Sequence, residues 1–184
     1  MGNMTGKKDH NGRWFWILAF IIIILDQITK FFALKLGSVV KLIGPLQLNL
    51  AMNTGTLFSL FSGNNLVFII LSIVIISAIV SYKDKIDSCL MPYFGLVLGG
   101  GVGNLIDRLH VGQVIDFIDL DVWSGMVHNS YIKIWPIFNV ADMAISIGIV
   151  MIIFLTLKEE KKEQGDKKTE KQVIKKKVSS PNLG

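Results

Sequence analysis

Asp116 and Asp142 are carboxylates with no adjacent cation in sequence, in a stretch where the chain is otherwise strongly apolar. Two further acids come with a basic partner: Asp26 stands four residues before Lys30, and Asp107 directly precedes Arg108. Four-residue spacing on a helix puts Asp26 and Lys30 on one face, where they can pair. Asn104 precedes Asp107, and Asn139 precedes Asp142 by three residues, again on one side of a helix. Two carboxyl groups a few ångströms apart cannot both ionise cheaply, so such a pair shares one proton. The ionised member can take a proton from water as it attacks a carbonyl, while the protonated member donates to the carbonyl oxygen. Spacing alone leaves Asp107 and Asp116 both eligible as partner to Asp142, because a buried Asp beside a cation can equally be a packing device.

Other chemistries find less support. No Ser or Cys nucleophile stands with a His base. His10 is near the N-terminus, and His110 and His128 fall in or near a loop, so all three read as surface histidines. No HExxH or comparable ligand spacing is present, and neither a metal nor a cofactor is expected. The run Gly99-Gly100-Gly101-Val102-Gly103 lacks the preceding strand and following Lys-Ser/Thr of a phosphate loop. Gly95, Gly99, Gly103 and Asp107 instead form one four-residue stripe, suited to close approach by another helix. Cys89 is the single cysteine, so an internal disulfide is excluded.

The elements that must position these groups are membrane spans. The chain has 184 residues, 51% apolar and 18% charged. Crossing about 30 Å of hydrocarbon takes roughly 20 apolar residues in a helix. Four windows fit: Trp14–Leu34, Leu66–Tyr82, the glycine-rich Leu90–Arg108, and Phe138–Leu157. The first follows Lys7, Lys8 and Arg13 as a signal sequence would. It lacks a prompt small-x-small site, however, and runs on through Asp26 and Lys30, which makes it a retained span.

Orientation follows the Lys and Arg counts. Three basic residues precede the first span, and nine of the 19 Lys and Arg lie between Lys158 and Lys177. The loops 34–65 and 108–138 carry two each, so both termini face the cytoplasm and these loops face outward. Aromatic residues agree, with Trp14, Trp16, Tyr82 and Tyr93 at the inner interface and Phe31, Phe32 and Trp135 at the outer one. At about 1.5 Å per residue, Asp26, Asn104, Asp107, Asn139 and Asp142 then reach a common depth near the outer surface, with Asp116 just beyond. The charge of +5 at pH 7 belongs mainly to the tail, which excludes a basic face for nucleic acid.

The expected architecture is an all-α integral membrane protein with four transmembrane helices. Alternation in Leu46-Gln47-Leu48-Asn49-Leu50 adds a short strand, and the outer loops build a small β-containing extracytoplasmic platform. Residues 1–13 form a cytoplasmic segment and 14–157 the membrane domain. The Lys-rich tail 158–184 is disordered or a fraying helix, with attachment to anionic membrane lipids as its functional reading.

Five stretches together carry a resemblance: Asp26-Gln27-Ile28-Thr29-Lys30, Asn53-Thr54-Gly55-Thr56-Leu57-Phe58-Ser59, Gly103-Asn104-Leu105-Ile106-Asp107-Arg108, Val114-Ile115-Asp116-Phe117 and Phe138-Asn139-Val140-Ala141-Asp142. In order and spacing, over about residues 14–157, the chain resembles the bacterial lipoprotein signal peptidase (signal peptidase II) family. The resemblance implies a multi-pass aspartic endopeptidase of the bacterial inner membrane, with its active site near the outer surface and inhibited by globomycin. Its substrates would be prolipoproteins carrying diacylglycerol on a cysteine, cut just before that cysteine. It makes Asp116 and Asp142 the catalytic dyad. Asn53, Gly55, Asn104, Asp107, Arg108, Asn139 and Ala141 would support the site or bind substrate, with Asp26 and Lys30 in its polar surroundings.

Two departures stand out. Thr56-Leu57 replace the small residues usual after the Asn-x-Gly, and the segment 117–141 is longer, with extra material around Val122–Ile132. Both bear on preference around the cut and neither removes a carboxylate. Outside the peptidase class, a small transporter or proton relay would string carboxylates across the whole bilayer, and the inner half here has none. A helical scaffold would leave Asp116 and Asp142 without a role.

Overall fold

A computed structural model of the chain describes residues 8–55, 65–127, 130–133 and 135–179. Thr56 and Leu57 lie outside the described residues, as does His128. Four long helices carry the fold: α1 Lys8–Ala33, α2 Asn65–Tyr82, α3 Met91–His110 and α4 Val140–Ser179. Between α1 and α2 come strands β1 Val40–Ile43 and β2 Leu46–Asn53, and between α3 and α4 come β3 Val114–Leu120, β4 Ser124–Val127 and β5 Ser130–Lys133.

The α3 helix is the centre of the bundle and touches each of the other three helices. Its glycines explain how. A Cβ on Gly95 would meet the backbone of Phe15, one on Gly99 the backbone of Ala19, and one on Gly103 the side chain of Asp26. Position numbers rise together along both helices, so α1 and α3 run parallel with backbones in close contact along the stripe. Gly100 faces Ala141, and Gly148 of α4 faces Tyr93 and Val97, so α4 runs the other way along α3. Phe15, Ala19, Met91 and Leu98 form the apolar core at the far end of the bundle from the acids.

Three helices among the described residues are long and apolar enough to cross a membrane by length and composition: Gly12–Ala33, Asn65–Lys85 and Val140–Gly165. The third window of the sequence reading does not join them. Glycine and polar residues lower the apolar content of α3, and its neighbours cover much of it: Met91, Gly95, Leu98, Gly99, Gly100, Gly103, Asn104 and Asp107 are all buried. In contrast α2 has no buried residue and is apolar all round, the pattern of a helix solvated by hydrocarbon.

Strands β1, β2 and β3 form one antiparallel sheet in that order, which matches the expected strand at Leu46–Leu50 and extends it to Asn53. The extra material around Val122–Ile132 forms a separate antiparallel pair, β4 with β5, in which Ser124 faces Lys133 and Val127 faces Ser130. At the other end of the chain, α4 continues as a helix through the Lys-rich stretch to Ser179, the helical one of the two expected forms of the tail. Lys and Glu are good helix formers, and extending a helix already nucleated in an apolar segment costs little. The Glu163–Lys167 pair, four residues apart at 3.5 Å, adds weak support.

Candidate active site

The polar residues singled out from sequence come together at one end of the bundle, where α1, α3 and α4 meet β2 and β3. Two groups of carboxylates separate there by the company they keep.

The first group surrounds a buried lysine. Lys30 Nζ lies 2.7 Å from Asp26 Oδ2 and 2.7 Å from Asp107 Oδ2, and it donates to Asn104 Oδ1 at 2.9 Å. All three charged side chains are at most 2% exposed. Asp26 Oδ1 also accepts the backbone N–H of Ala141 at 3.0 Å, which ties α1 to the first turn of α4. Asp107 Oδ2 accepts the Ile115 N–H at 3.1 Å and thereby fixes the start of β3 on the end of α3. Buried charges persist only when paired and hydrogen-bonded, and both acids meet that condition.

The second group is held by amides. Asp116 is 2% exposed; its Oδ2 accepts Asn53 Nδ2 at 2.9 Å and its Oδ1 accepts Asn139 Nδ2 at 2.7 Å. Asp142 Oδ1 accepts Asn104 Nδ2 at 2.8 Å, and its Oδ2 accepts the Asn139 backbone N–H at 3.2 Å. In return the Asp142 N–H donates to Asn139 Oδ1 at 2.9 Å. This reciprocal pair is a capping box at the start of α4, with Asn139 as N-cap and Asp142 three residues on. It also places Asp142 in the first helical turn, where the positive end of the dipole favours a carboxylate. Asp142 is half-buried, so the site opens to its surroundings on that side.

Burial pushes the Asp116 carboxyl up from its ordinary range to about 6, and the Asp142 charge adds to the rise. Hydrogen bonds from Asn53 and Asn139 and the Lys30 charge act against it. A carboxyl that holds a proton this close to neutral pH is suited to general acid work.

The supporting residues take definite positions. Gly55 donates its N–H to Asn53 Oδ1 at 2.8 Å, which leaves Nδ2 of that amide for Asp116. Its φ of 88° is in the region that favours glycine. Arg108 is half-buried, with its guanidinium 5.3 Å from the Phe68 ring and Nη1 donating to the Asn104 carbonyl oxygen at 3.4 Å. Ala141 is fully buried against α3.

Sequence reasoning passed over several participants. Gln27 Nε2 donates to Asp107 Oδ1 at 3.0 Å and to the Gly103 carbonyl at 3.2 Å. Its spacing of three residues from Lys30 was the available signal. Asn65 Nδ2 caps the Arg108 carbonyl at 3.0 Å. Asp119, fully buried in β3, accepts Gln47 Nε2 and Asn49 Nδ2 on Oδ2, each at 3.0 Å.

A mostly helical membrane-type fold, a small three-stranded sheet and a buried acid–amide network at one end of the bundle define the class: a polytopic membrane enzyme. A solved structure described as a bacterial membrane enzyme, obtained by the in meso method at 2.3 Å, is similar with a TM-score of 0.70 and 31% identity, covering 83% of this chain and 92% of that one. The family description "Signal peptidase (SPase) II" matches residues 18–158. A lipoprotein signal peptidase of Chlorobium phaeobacteroides (strain DSM 266 / SMG 266 / 2430) is 40% identical over 148 residues, covering 76% of this chain and 88% of that protein. Another from Thermodesulfovibrio yellowstonii is 40% identical over 146 residues, 78% of this chain and 94% of that protein. The chain belongs to the signal peptidase II family, the proteases that remove signal peptides from lipoprotein precursors.

Proposed function

We propose that the chain cleaves diacylglyceryl-modified prolipoproteins immediately before the lipidated cysteine, with Asp116 and Asp142 as the catalytic pair. The observation that carries this choice is the division of the acids. Asp26 and Asp107 share the Lys30 ammonium, whereas among the described residues Asp116 and Asp142 are bridged by Asn139 and hydrogen-bonded by neutral amides alone. A carboxylate locked to an ammonium is a poor proton carrier, and one held by amides can exchange its proton.

In this reading the half-buried Asp142 is the general base. It takes a proton from water as the water oxygen adds to the scissile carbonyl carbon, and Asp116 gives its proton to the carbonyl oxygen. As the tetrahedral intermediate collapses, the C–N bond breaks. Asp142 passes its proton to the leaving nitrogen while Asp116 recovers one from the intermediate, so the pair returns to its starting state. No cofactor takes part. Asn53, Asn104 and Asn139 hold the two carboxylates, and Arg108 lines the same end of the site for the substrate.

In the membrane, four helices cross with both termini cytoplasmic and α3 shielded by the other three. The sheet then lies on the outer side of the bacterial inner membrane and the site opens near the outer surface. The 14–157 unit is the peptidase domain, flanked by the cytoplasmic segments 1–13 and 158–184. This layout suits a substrate whose diacyl chain pins the scissile bond at the bilayer surface. It also suits globomycin-type inhibitors and contacts with membrane lipids.

The test is cleavage of a diacylglyceryl-modified prolipoprotein by purified wild type, Asp116→Asn, Asp142→Asn and Asp107→Asn, with folding followed by thermal unfolding. Loss of cleavage in folded Asp116→Asn and Asp142→Asn is the expected result. Normal cleavage by both refutes the mechanism. Loss in folded Asp107→Asn and Asp142→Asn with Asp116→Asn active would exchange the first member of the pair.

A further inference from the structure

Strand β2 changes register on β3 halfway along its length. Leu46, Gln47 and Leu48 face Leu120, Asp119 and Ile118, whereas Ala51, Met52 and Asn53 face Asp116, Ile115 and Val114. The paired numbers sum to 166 before the irregularity and 167 after it, so β2 carries one extra residue. Asn49 and Leu50 stand opposite Phe117 alone. This is a β-bulge, and such bulges re-aim the side chains that follow them.

The consequence falls on Asn53. Side chains alternate faces along a strand, so a slip of one residue sends each of them to the other side. Continued in the first register, Met52 would face Val114 and Asn53 would turn away from Asp116. The bulge reverses that and lets Asn53 Nδ2 reach Asp116 Oδ2. What holds the bulge is visible on its near side. Asp119 Oδ2 accepts Gln47 Nε2, from the last stretch in the first register, and Asn49 Nδ2, from the bulge itself. A single fully buried carboxylate oxygen thus grips the strand on both sides of Leu48.

We propose that Asp119 is a positioning residue for the peptidase reaction: by clamping Gln47 and Asn49 it fixes the β2 bulge and so delivers Asn53 to Asp116. The inference rests on Asp116 being one of the catalytic pair. Asp119 acts through Asn53 and touches neither substrate nor the reacting atoms.

The effect is readable in the proton affinity of Asp116. Asp142 of α4, Lys30 of α1 and Arg108 of α3 carry charge that acts on it, and Asn49→Ala leaves these and the Asp119 carboxylate itself in place. The Asn53 hydrogen bond favours the ionised form. Losing it raises the proton affinity and moves the basic limb of the kcat/KM–pH profile to higher pH, by about one unit for one charge-assisted bond.

The experiment compares full-length wild type, Asn53→Ala, Asp119→Ala, Asp119→Asn, Asn49→Ala and the double variant Asn53→Ala/Asp119→Ala on a diacylglyceryl-modified prolipoprotein across pH. Asp119→Ala and Asn49→Ala are expected to move the limb upward as Asn53→Ala does, with no added shift in the double variant. Asp119→Asn keeps an acceptor oxygen and moves it less. Asn49→Ala, on a partly exposed strand, supplies the same comparison should Asp119→Ala fail to fold. An unmoved limb in folded Asp119→Ala or Asn49→Ala, or additive shifts in the double variant, overturns the proposal. Full activity in Asp116→Asn would instead overturn the catalytic assignment on which it rests.

Discussion

Asn139 donates a side-chain amide hydrogen to Asp116 Oδ1 across 2.7 Å, and so joins the N-cap of α4 to strand β3. The same side chain accepts the Asp142 N–H through Oδ1, which makes it at once a helix cap and the link between the two proposed catalytic acids. These two duties can be separated by substitution.

Serine at position 139 can still accept the Asp142 N–H but has no amide to offer Asp116 or Asn104. Asn139→Ser is therefore expected to keep most of the stability and to lower kcat by about 100-fold, in line with removal of a preorganised donor. Asn139→Ala loses the cap as well, about 1 kcal/mol more. Thermal unfolding in detergent, run beside the cleavage assay, checks both. Equal activity of Asn139→Ser and wild type would show that the bridge to Asp116 plays no part in turnover.

Lys30 pairs with two acids in a pocket almost closed to solvent. Lys30→Met leaves Asp26 and Asp107 facing each other without a cation, at a cost of about 3–5 kcal/mol. Much of that returns in the triple variant Asp26→Asn/Lys30→Met/Asp107→Asn, because no charge is then left uncompensated. Unfolding temperatures of the two proteins test this, and a triple variant no more stable than Lys30→Met would count against it.

The pH profile follows from the raised Asp116 value. An acid shifted up to about 6 is protonated below that pH and ionised above it. If Asp116 is the proton donor, kcat/KM is present below about 6 and falls as pH rises through that value. In the kcat profile the limb lies higher, since bound substrate displaces water and desolvates the carboxyl further. A profile rising through pH 6 would mean that the ionised form of Asp116 is the active one.

The arrangement was legible from the chain to different depths. Local spacing rules carried Asp26–Lys30 and the glycine stripe, since both are patterns of residues four apart on one helix face. Alternation in 46–50 was enough for a strand. Its bulge was not, because the bulge is a relation between β2 and β3 fixed by Asp119, whose partners lie 70 and 72 residues away. For the same reason no sequence pattern paired Asn53 with Asp116. The β4–β5 pair within the longer segment had no turn signal of its own, and the tail's helicity depends on α4 continuing unbroken past the apolar segment.

That continuation invites a truncation. Beyond Leu157 the described part of α4 is exposed and far in sequence from every carboxylate of the site. Deleting residues 165–184 is expected to leave cleavage within about twofold of wild type, as is usual for chain termini. Large loss of activity in a well-folded truncation would assign the tail a role in catalysis or substrate access.

Two glycines of α3 make the packing quantitative. An added Cβ at Gly95 would lie 2.5 Å from the Phe15 carbonyl oxygen, a backbone atom that cannot swing aside. One at Gly101 would lie 3.7 Å from Ile76, an ordinary contact. Gly95→Ala must push α1 away from α3 and is expected to cost about 1–3 kcal/mol, as overpacking does. Because α1 carries Lys30 and Asp26 on the same run, that displacement should also reduce activity. Gly101→Ala meets no obstacle and gains up to about 1 kcal/mol of helix propensity. Unfolding temperatures should therefore move in opposite directions for two changes six residues apart on one helix. If both fall together, glycine is serving the flexibility of α3 and not the fit of α1 against it.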